Sequence, residues 1–170
     1  MGIDLSRYGY LRHISVLICD DVPTMRSIVR RMLEAFGIKK IYEADDARQA
    51  FKISRENDLN LIITDWQMPG ISGIDLLRAI RWHDDGDKHG ATVPIIMLTS
   101  LSETARVKKA RDNGVSAYLS KPVSAQMLLE RIVMILDDDR QTVRSERFIG
   151  PCRRLREASA FGGPDRRCPH

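Results

Sequence analysis

The segment ISVLICDDVPTMRSIVRRMLEAFG, residues 14–37, contains a short apolar run, two acidic residues and a helical pattern in direct succession. The apolar run, residues 14–19, has the length and composition of a strand that is buried on both faces. After Pro23, apolar residues recur at steps of three and four up to Gly37, which predicts an amphipathic helix. A buried strand followed by such a helix is the repeating unit of an α/β fold.

The same unit recurs along the chain. Further strands are predicted at KIYEA (40–44), NLIIT (60–64), PIIMLT (94–99) and SAYLS (116–120), and further helices at residues 46–56, 72–83, 102–113 and 124–136. Right-handed crossovers between these units predict a doubly wound, flavodoxin-like (βα)5 sandwich with a parallel sheet in the order 2-1-3-4-5.

Composition excludes several protein classes. The 170 residues are 43% hydrophobic and 29% charged, as in ordinary soluble proteins, and no run approaches the ~20 apolar residues of a membrane span. The first residues lack the apolar core of a signal peptide, so a cytoplasmic protein without membrane insertion is expected. Three cysteines, Cys19, Cys152 and Cys168, imply no disulfide framework. Two metal-site alternatives are disfavoured: Cys152 and Cys168 with His170 match no zinc spacing, and the loop at residues 83–90 is typical of a solvated connection.

Acidic residues end two of the predicted strands. Asp20 and Asp21 follow the first strand and Asp65 follows the third, and these strands are neighbours in the order 2-1-3-4-5. Their carboxyl ends form the crevice where such folds bind ligands. Three acids there require a cation, and Mg²⁺ is the ion that accepts a few carboxylates while keeping positions for water and phosphate. Asp65 is then placed to attack phosphorus and form an acyl phosphate.

Two more polar residues belong to the same edge. Thr99 ends the fourth strand and is expected to hydrogen-bond a phosphoryl oxygen, and Lys121 follows the fifth strand and is expected to neutralise its charge. Each of these residues taken alone is better explained as a helix cap or a strand-end polar group. The coincidence of five at one edge of the sheet favours a phosphoryl-transfer pocket.

Residues 14 to about 136 resemble the receiver domain of bacterial response regulators. The resemblance is carried by Asp20-Asp21 with Thr24-Met25-Arg26, by Asp65-Trp66 with Met68-Pro69, and by Thr99, Tyr118 and Lys121-Pro122. It implies a signalling effector rather than an enzyme, with chemistry limited to Mg²⁺-dependent phosphorylation of Asp65 by a histidine kinase.

The resemblance also assigns further roles. The backbone carbonyl of Gln67 is implied as a metal ligand, Thr99 and Tyr118 as a rotamer switch that remodels the face of the fourth helix, fifth strand and fifth helix, and Lys121-Pro122 as a cis peptide bond. Gln67 is a departure, because CheY-like members carry Asn there. The departure leaves metal binding intact and puts the dephosphorylation rate in question.

The positive charge of the chain is concentrated at its end. Residues 140–170 contain eight Arg and no Lys against three acids, a net charge of +5, whereas residues 1–139 carry 19 basic and 20 acidic groups, a net charge of −1. The pattern Gly-Pro-x-Arg-Arg occurs there twice, at residues 150–154 and 163–167, thirteen residues apart. Hydrophobic periodicity stops at Arg140, which predicts a tail that is disordered without ligand. The predicted organisation is an N-terminal extension (1–13), a receiver domain (14–139) and an arginine-rich tail (140–170).

Arginine pairs on Gly-Pro turns suit a ligand with guanines and phosphates, because the guanidinium fork matches phosphate oxygens and the O6 and N7 acceptors of guanine. Two like half-sites suit cyclic di-GMP, which has two guanines and two phosphates. Two alternatives remain: a passive basic tail on a phosphorylation-driven regulator, and a nucleic-acid binder, which the scarcity of tail aromatics disfavours.

A receiver domain with a tail around RFIGPxRR resembles the Cle group of CheY-like cyclic di-GMP effectors. That resemblance implies capture of the nucleotide, as an intercalated dimer, and action at the flagellar motor switch protein to tune motility and surface attachment, with recruitment to the flagellated cell pole. The implied contacts are Arg144, Ser145, Arg147, Arg153, Arg154, Arg156, Asp165, Arg166 and Arg167.

Overall fold

The computed structural model describes residues 5–82, 92–100, 114–137, 142–145 and 148–151. Its main sheet consists of β1 (Ser15–Cys19), β2 (Lys40–Ala44), β3 (Leu61–Asp65), β4 (Ile95–Thr99) and β5 (Ala117–Ser120). The strands are parallel and lie in the order β2-β1-β3-β4-β5. The predicted flavodoxin-like fold is therefore confirmed, with strand bounds within one residue of those expected.

The described residues include four α-helices that lie between and after these strands: α1 (Pro23–Ala35), α2 (Ala47–Glu56), α3 (Gly73–Trp82) and α4 (Ala125–Leu136). Their first turns carry the expected start signals. Pro23 opens α1, Asp46 accepts a hydrogen bond from the Gln49 amide at 2.7 Å before α2, and Ser124 accepts one from the Met127 amide at 3.2 Å before α4. The helix predicted at residues 102–113 lies outside the described residues.

The core is divided between the two faces of the sheet because side chains alternate along each strand. On β1, Val16 and Ile18 pack with α1 and α4 on one face, whereas Leu17 and Cys19 pack with residues of α2 and α3 on the other. Burial on both faces explains why β1, β3 and β4 are apolar nearly throughout. The polar residues that break this pattern at the carboxyl ends of β1, β3 and β4 are consequently the ones that need a functional explanation.

The N-terminal segment joins the core. Residues Leu5–His13 form a 3-10 helix, and Leu11 is fully buried among the side chains of the α1 and α4 face. The Tyr10 hydroxyl donates a hydrogen bond to Asp137 Oδ1 at 3.0 Å. Burial and, next, the hydrogen bond to this carboxylate raise the pKa of Tyr10 to about 12. The extension expected at residues 1–13 therefore contributes to the receiver core, a role that no sequence pattern indicated.

Part of the tail has regular structure that was not predicted. Strands β6 (Thr142–Ser145) and β7 (Phe148–Pro151) pair antiparallel, with Ser145 opposite Phe148. The tail thus contains two paired strands at these eight residues, and its disorder without ligand stays a prediction. Residues Thr142-Val143 and Phe148-Ile149 are β-branched or aromatic and favour strands, a local preference that the overall polarity of the tail concealed. Within the described residues, no helix has the length and hydropathy needed to cross a membrane.

Candidate phosphoryl-acceptor pocket

Three carboxylates meet at the carboxyl edge of the sheet, as the sequence predicted. Asp20 and Asp21 follow β1, and Asp65 ends the neighbouring β3. One carboxylate oxygen from each residue lies within 4.8 Å of those of the other two. Asp20 and Asp65 are only 1% and 7% exposed, so their charges are largely removed from water. Acids held this closely repel one another unless a cation lies among them.

Lys121 supplies a cation at the same carboxyl edge of the sheet. It follows β5, and its ammonium Nζ lies 2.9 Å from Asp20 Oδ2 and 2.9 Å from Asp65 Oδ1. The peptide bond between Lys121 and Pro122 is cis, which confirms the expectation from the family resemblance. The ammonium thus bridges Asp20 after β1 and Asp65 at the end of β3.

The electrostatics of this pair define its reactivity. Burial raises the pKa of Asp65 above its ordinary value; the hydrogen bond from Lys121 opposes this shift and the Asp20 charge adds to it. Burial alone would lower the pKa of Lys121, but its contacts with Asp20 and Asp65 outweigh burial and raise it. Lys121 is therefore a cation at neutral pH, and a proton or a metal ion would offset the unfavourable negative charge at Asp65.

The donor set fits Mg²⁺. In proteins this ion binds one or more carboxylate oxygens and keeps its remaining coordination positions for water and phosphate. Asp20, Asp21 and Asp65 would hold the ion. The additional ligand expected from the Gln67 carbonyl stays a prediction; Gln67 lies exposed two residues after Asp65, and its side-chain Oε1 accepts from Ser100 Oγ at 3.4 Å.

The loop after Asp65 is fixed by main-chain contacts. The Trp66 amide donates to Leu98 O at 2.8 Å, and the Gly73 amide donates to Trp66 O at 3.0 Å. Gly73 has no side chain where a Cβ atom would collide with the main-chain oxygen of Asp65. Gly70 has a φ angle of 79°, in the left-handed region that glycine tolerates. The start of α3 is thereby drawn against the acceptor residue.

Thr99 and Tyr118 lie where they were expected along the strands, and they differ in exposure. Thr99 ends β4 beside Asp65's strand and is 5% exposed, whereas Tyr118 in β5 is 45% exposed. Thr99 thus lies at the carboxyl end of β4, on the same edge of the sheet as Asp65, and the Tyr118 side chain is exposed. The rotamer switch between them stays a prediction.

Sequence reasoning missed two residues that support the pocket. Arg26 Nη1 donates to the main-chain oxygen of Asp20 at 2.7 Å, and Arg26 Nε lies 3.8 Å from Glu43 Oε2. The sequence motif Thr24-Met25-Arg26 includes Arg26 but indicated no contact for it. A cation in the first turn of the helix that follows the acidic pair was a signal available in the sequence.

Most of the residues predicted to contact the nucleotide lie outside the part of the chain that the structure describes. Arg144 and Ser145 lie in β6. Outside the described residues lie Arg147, Arg153, Arg154, Arg156, Asp165, Arg166 and Arg167, and also the loop at 83–90 and the set Cys152, Cys168 and His170.

Comparison with known proteins agrees with this geometry. Residues 16–133 match the family model for the response regulator receiver domain. The chain is 38% identical to the chemotaxis protein CheY of Pseudomonas aeruginosa over 124 residues, which cover 73% of this chain and 97% of that protein. It is 36% identical to CheY-3 of Vibrio cholerae over 126 residues, 74% of this chain and 94% of that one.

Solved structures give the same result. The chemotaxis protein CheY4 of Vibrio cholerae superposes with a TM-score of 0.66 at 25% identity, covering 72% of this chain and 98% of that one. A response regulator structure from Chloroflexus aurantiacus gives 0.67 at 28% identity, covering 74% and 98%. Receiver domains of this kind bind Mg²⁺ at an acidic pocket, which here corresponds to Asp20, Asp21 and Asp65. The chain belongs to the response regulator receiver domain family.

Proposed function

We propose that this protein is a CheY-like signalling effector that accepts a phosphoryl group on Asp65 and binds cyclic di-GMP through its arginine-rich tail. The observation that carries the first half is the position of Lys121 Nζ, 2.9 Å from carboxylate oxygens of both Asp20 and Asp65. An ammonium held between a metal-binding acid and the acceptor acid is suited to the charge that develops on a transferred phosphoryl group. The proposed organisation is an extension (1–13), a receiver domain (14–139) and a nucleotide-binding tail (140–170).

The proposed transfer takes a phosphoryl group from the phosphohistidine of a histidine kinase. A carboxylate oxygen of Asp65 attacks phosphorus, the new O–P bond forms as the P–N bond breaks, and the leaving nitrogen retains the electron pair as neutral imidazole. Lys121 turns from Asp65 to a phosphoryl oxygen, and the Thr99 hydroxyl donates to another. Asp20, Asp21 and Asp65 would hold Mg²⁺, which would supply positive charge to offset that of the phosphoryl oxygens.

A small phosphodonor tests the transfer directly. Incubation of the intact chain with acetyl phosphate and Mg²⁺ should add one phosphoryl group, measured by intact-mass spectrometry, and chelation of Mg²⁺ should prevent it. Asp65→Asn should abolish the adduct, because an amide is not a nucleophile for phosphorus. The matched control is Asp58→Asn, an exposed acid outside the pocket. An adduct that persists in Asp65→Asn and is lost in Asp58→Asn would contradict the assignment.

The proposed output is at the flagellar motor. The relatives at 38% and 36% identity are named chemotaxis proteins, which supports a role in the same signalling for this chain. Thr99 and Tyr118 would couple phosphorylation to the outer face of β5, where the exposed Tyr118 ring is available to the flagellar motor switch protein. Action of this kind takes place in the cytoplasm at the flagellated pole.

The tail gives the proposal its second half. Its eight Arg without any Lys exceed what nonspecific attraction requires, and its two Gly-Pro-x-Arg-Arg copies match a ligand with two guanines and two phosphates. The resemblance to the Cle group supports the same ligand, as an intercalated dimer. The proposed contacts are Arg144, Ser145, Arg147, Arg153, Arg154, Arg156, Asp165, Arg166 and Arg167.

Calorimetric titration of cyclic di-GMP into the intact chain tests this half. Alanine at Arg153, Arg154, Arg166 and Arg167 together should weaken binding at least ~100-fold, since each charge-assisted hydrogen bond contributes about 1.5–3 kcal/mol. Lysine at the same four positions is the matched control, because it retains the charge and loses the planar fork. Full affinity in the lysine variant would reduce the tail to a basic segment without fork recognition.

The alternatives give different results in the same titration. A passive tail gives no heat with the unmodified chain and leaves motor output dependent on Asp65 alone. A nucleic-acid binder prefers an RNA or DNA oligonucleotide of equal charge over cyclic di-GMP and shows a salt dependence set by several phosphates.

A further inference from the structure

Arg26 connects the acidic pocket to the edge strand of the sheet. From the first turn of α1, its Nη1 donates to the main-chain oxygen of Asp20 at 2.7 Å, and its Nε lies 3.8 Å from Glu43 Oε2 in β2. The Arg26 side chain is only 17% exposed, so these contacts are largely shielded from water. One guanidinium thus spans from β2 to the residue that follows β1.

Asp20 is held at every polar atom, and Arg26 provides one of the four attachments. The Asp20 amide donates to Ala44 O at 3.2 Å, Oδ1 accepts from the Val22 amide at 2.9 Å, and Oδ2 accepts from Lys121 Nζ at 2.9 Å. The fourth attachment is the Arg26 bond to the main-chain oxygen. Arg26 is the side chain that the described part of the structure places on the Asp20 main-chain oxygen, and the plane of this peptide affects the direction of the Asp20 carboxylate.

Glu43 anchors the guanidinium on the other side. Arg30 Nη1 lies 2.6 Å from Glu43 Oε1, and Arg30 Nε lies 2.9 Å from Glu34 Oε1. Glu43 is therefore shared by two arginines one helical turn apart. Its negative charge offsets part of the Arg26 charge, so the repulsion that Arg26 exerts on a cation in the pocket is reduced while its geometric role is retained.

We infer that Arg26 is a positioning residue for the Mg²⁺ site, which holds the Asp20 main chain so that its carboxylate faces Asp21 and Asp65. This inference rests on the proposed function of the pocket. Residues that orient metal ligands typically change metal affinity by about 10- to 100-fold when they are replaced. The guanidinium fork is needed because only one planar group with several donors reaches the carbonyl and the carboxylate together.

An electrostatic role and a positioning role for Arg26 predict opposite changes in Mg²⁺ affinity when Arg26 is replaced. If Arg26 acted only through its charge, Arg26→Met would remove a positive charge near the pocket and tighten Mg²⁺ binding. Positioning instead predicts binding weakened about tenfold in Arg26→Met. Arg26→Lys distinguishes the two roles further, since it preserves the positive charge. A purely electrostatic role predicts unchanged Mg²⁺ affinity in this variant. A positioning role predicts an affinity between those of Arg26→Met and the unmodified chain, because the planar guanidinium is lost.

The experiment is a calorimetric Mg²⁺ titration of the full chain and its variants, with folding checked by circular dichroism before each titration. Arg31→Met is the matched control, because Arg31 is an exposed arginine on the same helix. A second readout is the Mg²⁺ dependence of phosphorylation by acetyl phosphate: Arg26→Met should need more Mg²⁺ for half-maximal rate and should approach the unmodified rate at saturation.

Three results decide the inference. Weaker binding in Arg26→Met and Arg26→Lys, with Arg31→Met unchanged, supports it. Equal or tighter binding in both Arg26 variants overturns it and leaves the proposed function in place. Absence of Mg²⁺ binding by the unmodified chain would overturn the proposed function, and this inference with it.

Discussion

The acidic pocket and the arginine-rich tail carry opposite charges and are assembled in different ways. The carboxylates and the ammonium of the pocket come from residues as far apart as Asp20 and Lys121, a separation of 101 residues, and the parallel sheet brings them within hydrogen-bonding distance. The tail has its net charge of +5 within 31 consecutive residues, and its arginine pairs are neighbours in sequence.

The two sites therefore differ in what positions their charged groups. In the pocket, strand order and main-chain contacts fix the positions of charges before any ligand binds. In the tail, the sequence supplies arginine pairs that are neighbours along the chain, and we expect a bound ligand to determine how the pairs are arranged. A preorganised site should fail at a single substitution, whereas a site organised by its ligand should respond to the number of its arginines and tolerate changes in their spacing.

Among the residues that surround the acceptor Asp65, the largest effect is expected at the bridging cation, Lys121. Lys121→Met should lower the rate of phosphorylation by acetyl phosphate about 100- to 1,000-fold, the usual cost of losing one group that stabilises developing negative charge. Mg²⁺ binding should persist or tighten, because the ammonium that competes for Asp20 and Asp65 is gone. The control is Lys52→Met, which removes an exposed lysine that pairs with Glu56 on α2. An unchanged rate in Lys121→Met would show that the pocket is not organised around this residue.

The backbone beside Asp65 gives the next largest effect. Gly73→Ala would place a methyl group against the main-chain oxygen of Asp65, so the start of α3 or the acceptor itself must shift. We expect the free energy of unfolding to fall by about 1–3 kcal/mol, measured in urea, with weaker Mg²⁺ binding alongside. Gly9→Ala is the matched control, since nothing lies within 4 Å of a Cβ there. Equal stability of the two variants would contradict the close approach of α3 to Asp65.

A smaller effect is expected where Tyr10 joins the N-terminal segment to Asp137 at the end of α4. Tyr10→Phe should lower the free energy of unfolding by at most about 1 kcal/mol, because one partly exposed hydrogen bond is lost. The pKa of Tyr10 is raised to about 12, so folding favours the neutral phenol. This stabilisation should be fully present below the ordinary pKa of a phenol and be lost as pH rises through about 12. Tyrosinate absorbance measures this ionisation: the step near pH 12 should disappear in Tyr10→Phe, and its persistence there would contradict the assignment.

Sequence patterns predicted the parts of this molecule that depend on periodicity and strand order. The five strands, the described helices and the meeting of Asp20, Asp21 and Asp65 follow from apolar runs and from the rule that parallel strands end at one edge. Arg26 and Glu43 escaped prediction because their pairing depends on side-chain reach between a helix and an edge strand. Leu11 escaped because a short 3-10 helix has no distinctive period. The β6-β7 hairpin escaped because four-residue strands are short against a polar background.

The smallest effect on ligand affinity is expected from a longer spacing between the two arginine pairs of the tail, a change that a preorganised site would not tolerate. A Gly/Ser insertion after Ala158 that doubles the thirteen-residue spacing between the two Gly-Pro-x-Arg-Arg copies should weaken cyclic di-GMP binding only about threefold, because doubling a flexible loop costs ~0.6 kcal/mol. The control has the same insertion after His170, where the spacing is unchanged. Calorimetry on both chains measures the difference. A loss much greater than tenfold would mean that the tail fixes its arginines in advance, as the sheet fixes the acids of the pocket, and the contrast between the two regions would then disappear.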